Sequence, residues 1–519
     1  MALLIPSRRT VLGGLLSAPF VLPSTVRAQA LGFADYPFTL GVAAGDALPD
    51  GFVIWTRLAP RPLEPQGGMP LTPVAVDWEV AEDDGFKTIA AKGQETAHPE
   101  LAHAVHVEVA GLKPGRLYWY RFKCAGEKSL TGLARTLPAV GAKVDKVRFA
   151  AVGCQHFEAG YYTAYRHVAE EELDFVFHYG DYIYEYSPGT VLDAFHRPIE
   201  AVRHYVGREP YTLGDYRIRY AQETMDADLQ AARAAHPWFC TYDDHEVDNN
   251  WVSQFDQDGT DPALFLLRRR QAMQAWYEHM PVRRASFPQA DGAVEFRRRA
   301  DYGDLMRGHF LNTRLYRSDQ PCGDNFKPAC PGVSAVDAAI LGVAQERWLG
   351  EGLSESRQRW QLIAQQVMVC PLDRREHDEP DPLYNMDSWA GYQRPRTRLF
   401  DQFAAHKPGN VVVVTGDEHQ NFAQDLIHHD RVVASEYVAT SITSGGDGHD
   451  VRPGSEKLKA GNPCLKWTND RRGYMVSEVT PEAWTGHFRT VDAVTEKGLP
   501  IKTAARWAVE AGRPGLVQA

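Results

Sequence analysis

Four short apolar runs in this chain stop on residues that bind metals. Run 147–152 ends at Gly153-Cys154-Gln155, and run 173–179 ends at Gly180-Asp181. Run 238–242 meets Asp243-Asp244-His245-Glu246, and run 411–414 meets Thr415-Gly416-Asp417-Glu418-His419. Runs of this length and composition read as buried strands. Residues 161–172 have helical spacing, and 360–367 supply a fifth strand. Strands alternating with helices dictate an α/β domain, and such sheets bind ligands at the carboxyl ends of their strands. Asp and Gly also favour turns, but four such ends exceed what turn chemistry requires.

The donor types narrow the chemistry. Cys154 offers a thiolate, Asp181 and Asp417 carboxylates, Tyr184 a phenolate and His419 an imidazole. Tyr184 lies three residues past Asp181, so one loop can aim both at one centre. Asp417 and His419 alternate by two, which points both side chains one way on an extended backbone. Asp181 is the candidate to bridge two ions. Thiolate, phenolate and imidazole together suit a redox metal such as ferric iron, whereas oxygen-only ligands suit Ca²⁺ or Mg²⁺. Standing alone, Cys154 would be a small buried hydrophobe, Tyr184 aromatic packing, and His178 a core histidine.

Upstream the pattern is different. Residues 36–138 carry short alternating runs separated by Gly- and Pro-rich turns, which predicts a small all-β sandwich of fibronectin or immunoglobulin type. Residues 138–146 read as a linker. Before the sandwich, Ser7-Arg8-Arg9-Thr10-Val11-Leu12 precedes an apolar stretch and the small-residue sequence Ala28-Gln29-Ala30. These are the parts of a removable signal, expected over residues 1–30. The paired arginines resemble a twin-arginine export signal, with Val11 where Phe is usual. The protein is therefore expected to be periplasmic or secreted, with the twin-arginine machinery as its export partner. No stretch reaches the ~20 apolar residues of a membrane span.

The 519 residues carry 56 basic and 67 acidic side chains, a net charge of −11, which argues against a nucleic-acid clamp. The arginine triplets 268–270 and 297–299 are expected on solvated faces. Seven cysteines suit an oxidising compartment. Cys322 and Cys330 flank a short loop and are the expected disulfide.

Taken in order, Gly153-Cys154-Gln155, Gly180-Asp181-Tyr182-Ile183-Tyr184-Glu185, Asp243 through Asn250 and Gly416-Asp417-Glu418-His419 resemble the PhoD-type alkaline phosphatases. Trp55-Thr56-Arg57, Gln345-Glu346-Arg347-Trp348-Leu349 and Asp387-Ser388-Trp389-Ala390-Gly391-Tyr392 extend the resemblance over nearly the whole chain past the signal. It implies a metallophosphoesterase α/β/β/α sandwich over 146–519, with a capping helix around 501–511. Residues 276–284 are a second candidate cap. It also implies Fe³⁺ on Cys154, Asp181, Tyr184 and His419, and Ca²⁺ on Asp181, Asp417 and an asparagine of the Asn249-Asn250 pair, Asn249 being favoured. Asp244 and His245 stand where related enzymes place Asn-His, so with Asp181 they are candidate catalytic residues. Asn312 stands where the family carries Asp. The expected activity is hydrolysis of phosphate monoesters and diesters, small or polymeric, by a metal-activated hydroxide in a monomer. The alternatives are a diesterase acting on envelope lipids or polymers, and a catalytically silent envelope binding module.

Overall fold

The structure, a computed structural model, describes residues 35–519 apart from 290–293, 295–296, 376–378 and 407–409. The expected signal, residues 1–30, lies outside the described residues. Two large sheets face one another. In the first, Val147–Val152, Phe175–His178 and Pro237–Cys240 run parallel side by side, the short buried strands read from the sequence. In the second, Met306–Phe310, Trp360–Ala364, Val411–Thr415 and Arg431–Val438 run parallel.

Aromatic rings join the sheets. Phe239 stacks on Phe310 across the gap at 4.3 Å, and Trp360 meets Trp484 edge-on at 5.9 Å. Every one of these side chains is buried, so the strands read as continuous apolar runs instead of alternating ones. The outer face of the first sheet is covered by helices Thr163–Glu170, Leu213–Thr224, Ala227–Ala235 and Pro262–His279, and that of the second by Gly342–Glu355 and Gln393–His406. The result is the α/β/β/α sandwich. Among the described residues, no helix is long and apolar enough to cross a membrane.

The N-terminal strands are not a freestanding sandwich. Val42–Leu48 pairs in parallel with Pro237–Cys240, with Ala44 opposite Pro237. Gly51–Arg57 and Ala104–Val109 follow it in the same ten-stranded sheet. A smaller sheet built on Val74–Ala81 and Leu117–Cys124 packs over this extension, with Tyr118 against Phe52. The β module is thus half its own and half the edge of the catalytic sheet.

Three expectations need correction. Lys502–Glu510 is a strand and not a capping helix; it pairs antiparallel with Ala483–Thr490 near the sheet edge. Its alanines favour helix locally, but sheet pairing and the burial of Val509 override that preference. Residues 276–284 do not cap a cleft. Trp276 is buried, Trp55 Nε1 donates to Glu278 O at 3.0 Å, and Tyr277 stacks on His106 at 4.4 Å, so this helix end is riveted to the N-terminal strands. The arginine triplets are solvated only in part: Arg270 is exposed, but its neighbours are not. Arg268 and Arg269 are buried, Arg268 pairing with Asp248 at 2.8 Å, and Arg298 pairs with buried Asp46. Cys322 and Cys330 are joined as a disulfide, as expected.

Candidate metal centre

The carboxyl ends of strands from both sheets converge on one cleft of about 400 Å³. Cys154, Asp181 and the Asp243-Asp244-His245 turn come from the first sheet, and Asp417 and His419 from the second. Tyr179 explains why glycine precedes two of these ligands, Cys154 and Asp417. Its ring sits between the turns, and a Cβ on Gly153 or Gly416 would lie 2.3 or 2.2 Å from it. Its hydroxyl donates to Thr440 O at 2.6 Å, which fixes the ring.

Turning this sharply puts the ligands in left-handed backbone. Cys154 (φ 50°), Asp181 (55°), Asp417 (68°) and His419 (51°) all have positive φ. For a non-glycine residue this costs roughly 1–2 kcal/mol, and such strain gathers at functional sites. Glu246 offsets part of it. Its carboxylate accepts backbone N–H groups from Asp181 (3.0 Å), Tyr182 (2.6 Å) and Asp243 (2.8 Å), tying two ligand turns together.

At the cleft, three groups of ligand atoms lie within 4.8 Å of one another: Cys154 with Asp181 and His419; Asp181 with Asp244 and His245; and Asp243 with Asp244 and Asp417. Tyr184 Oη joins the first, donating to Asp181 Oδ2 at 3.1 Å and lying 3.1 Å from His419 Nε2. Ser444 Oγ holds that phenol at 2.7 Å. Asn249 and Asn250 line the cleft. Asn249 is engaged by Tyr186, which donates to its Oδ1, and by Gln257, which accepts from its Nδ2. Asn250 sends its backbone N–H to Asp244 Oδ2 at 2.8 Å and its amide N–H to Asp324.

The donor set fits cations. Asp181 Oδ1 and Asp244 Oδ1 are buried without a hydrogen-bond partner, which is costly for a carboxylate oxygen. Burial, and then neighbouring acids, pushes Asp181 and Asp417 well above the usual carboxylate range. Burial and Asp181 likewise push up the Cys154 thiol. A positive ion removes this conflict by letting all of them ionise together. Burial and then Arg472 lower His419 to about 3, leaving a neutral imidazole suited to ligation.

Several supporting groups were not legible as a set. Arg314 is wholly buried and donates through Nε to Asp243 Oδ1 at 2.5 Å, while Nη1 lies 2.7 Å from Asp387 Oδ2. Burial raises Asp244, but Arg314 and His245 outweigh it and hold that carboxyl below its ordinary value. His245 Nδ1 lies 2.7 Å from Glu185 Oε2, and despite burial this and nearby acids raise the imidazole well above its usual range. His156, in the cleft and buried, has no partner for either ring nitrogen. These residues lie far apart in sequence, and no local pattern links them. Asn312 accepts from the N–H groups of Arg314 and Leu315 and so shapes the turn that delivers Arg314.

Comparison with known proteins agrees with this architecture. The family model described as PhoD-like phosphatase matches residues 149–488, and that of its N-terminal domain matches 24–138. Alkaline phosphatase D of Bacillus subtilis (strain 168) is 44% identical over 490 residues, covering 93% of this chain and 82% of that protein. A solved structure of PhoD superposes with a TM-score of 0.90 at 44% identity, covering 94% of this chain and 93% of its own. The chain belongs to the PhoD-like phosphatase family and is a phosphoric ester hydrolase.

Proposed function

We propose that this enzyme is an exported, metal-dependent phosphatase that hydrolyses phosphate monoesters and diesters. The observation that carries the reading is the Cys154–Asp181–His419 group, its ligand atoms within 4.8 Å, beside buried carboxylate oxygens that lack a hydrogen-bond partner. Cys154, Asp181, Tyr184 and His419 would hold ferric iron, whose thiolate and phenolate preference they match. Asp181, Asp244 and Asp417, with an amide oxygen from Asn249 or Asn250, would hold calcium, which takes oxygen donors. When bound, such ions acidify water and offset phosphoryl charge.

The protein's own groups do the rest. The turns hold the ligand side chains in place before substrate arrives, which lowers the reorganisation needed during reaction. His245, oriented by Glu185 at 2.7 Å, can hold a phosphoryl oxygen or, when protonated, pass a proton from Nε2 to the departing alkoxide. Arg314 pairs with Asp243 and Asp244 and holds the Asp244 carboxyl below its ordinary value. Export by the twin-arginine route, directed by residues 1–30, and a monomeric state complete the proposal.

The test is turnover of aryl phosphate monoesters and diesters by purified protein, before and after chelation. Activity on both esters that chelation abolishes and iron plus calcium restores is expected. Undiminished activity in metal-free protein would overturn the reading.

A further inference from the structure

Cys370 and Cys464 are 94 residues apart in the chain, yet their sulfurs lie 3.4 Å apart. Cys370 is buried beyond strand Trp360–Ala364, and Cys464 is half-buried just before strand Leu465–Asn469. Contacts that do not involve sulfur hold both segments. Cys370 N donates to Glu436 Oε2 at 2.9 Å, and Cys464 O accepts from Asp425 N at 3.0 Å. The Asn462 side chain spans the gap, accepting from Asp373 N at 2.8 Å and donating to Asp373 O at 2.9 Å.

These segments also build a wall. Arg374 and Leu383 follow Cys370, Ser455 and Leu458 precede Cys464, and all four line a cavity of about 410 Å³. That cavity shares Phe326, Gln420 and Arg452 with the metal cleft. Arg374 pairs with Glu418, which stands between Asp417 and His419. The thiols therefore sit behind a wall linked directly to a ligand turn.

We propose that Cys370 and Cys464 form a second disulfide in the exported protein, stapling the wall beside the metal cleft. The contact must shorten to about 2.05 Å, the length of an S–S bond. The oxidant is a disulfide donor such as oxidised glutathione or a thiol oxidoreductase. The half-exposed Cys464 thiolate attacks one donor sulfur and expels the first donor thiolate. The Cys370 thiolate then attacks the Cys464 sulfur of the mixed disulfide, forming the new S–S bond and expelling the second. Two protons and two electrons leave the cysteine pair, and the donor is reduced to two thiols. The hydrogen bond from Cys370, the largest influence on Cys464, lowers the Cys464 thiol and agrees with its role as first attacker. Closing a loop of this length constrains the unfolded chain strongly.

The test is non-reducing peptide mapping of the full protein, alkylated after denaturation. Protein treated with oxidised glutathione should yield a Cys370–Cys464 linked peptide and leave Cys124, Cys154 and Cys240 alkylated. This arm does not depend on export, and protein recovered from the exported fraction should give the same map. The Cys370→Ser, Cys464→Ser and double variants should each lower the Tm of oxidised protein by the same several degrees, and reductant should remove the difference. Recovery of both cysteines alkylated after glutathione treatment, or pairing of either with Cys124 or Cys240, would overturn the proposal.

Discussion

Arg314 donates through Nε to Asp243 Oδ1 at 2.5 Å, with both side chains almost wholly shielded from solvent. Asp387 takes a second edge of the same guanidinium at 2.7 Å. The centre thus brings its own fixed cation to its cluster of acids. Removing one partner of a buried pair leaves an uncompensated charge, which costs about 3–5 kcal/mol. Arg314→Met should therefore lower the unfolding free energy by that amount in denaturant titration. A change under ~1 kcal/mol, the scale of an exposed pair, would show that the pair is not structural.

Space around Tyr179 makes a second prediction. A methyl group on Gly416 would lie 2.2 Å from the ring. Overpacking of this kind costs about 1–3 kcal/mol, so Gly416→Ala should destabilise the fold and reduce turnover by shifting Asp417. Adding Tyr179→Leu should restore part of the loss. The two changes share one contact and should be non-additive in a double-mutant cycle.

Glu223 sets a pH dependence away from the cleft. Burial raises its carboxyl from 4.5 to about 8, although hydrogen bonds from Tyr162 and Tyr205 act the other way. Between those values the unfolded chain has lost this proton and the folded one keeps it. The contribution of Glu223 to stability is complete below pH 4.5 and falls as pH rises towards 8. Glu223→Gln should abolish a slope of at most about 1.4 kcal/mol per pH unit. The difference in unfolding free energy between variant and parent, measured from pH 5 to 9, should therefore grow in favour of the variant. A constant difference would contradict the assignment.

Chelation should destabilise as well as inactivate. Asp181 Oδ1 and Asp244 Oδ1 are buried without a hydrogen-bond partner, so ions that bind only the folded chain stabilise it by mass action. The gain is about 4 kcal/mol at a thousandfold excess over Kd. Calorimetry with and without chelator should show a lower Tm in the stripped protein, reversed on adding iron and calcium. An unchanged Tm would argue against ions in the buried centre.

The strand ends were legible because each ligand turn follows a short, mostly apolar run. Gly153, Gly180 and Gly416 mark turns too tight for a side chain at those positions. The role of Arg314 was not legible, since its partners Asp243 and Asp387 lie some seventy residues away on either side. The strand Lys502–Glu510 misled because Ala504, Ala505 and Ala508 favour helix, while the pairing that overrides them comes from Ala483–Thr490. The N-terminal strands alternate as a sandwich should, but sequence periodicity could not reveal that Ala44 sits beside Pro237 in the larger sheet.

The most direct test of the metal centre is elemental analysis of Asp181→Asn and Cys154→Ser beside the parent, with turnover of an aryl phosphate in the same samples. Both variants keep the shape of the side chain and remove an anionic ligand from the Cys154–Asp181–His419 group. The parent should carry iron and calcium. Cys154→Ser should lose iron while keeping calcium, and Asp181→Asn should lose both ions and fall at least about 100-fold in kcat. Full metal content and parental turnover in Asp181→Asn, with the fold intact by circular dichroism, would contradict the account.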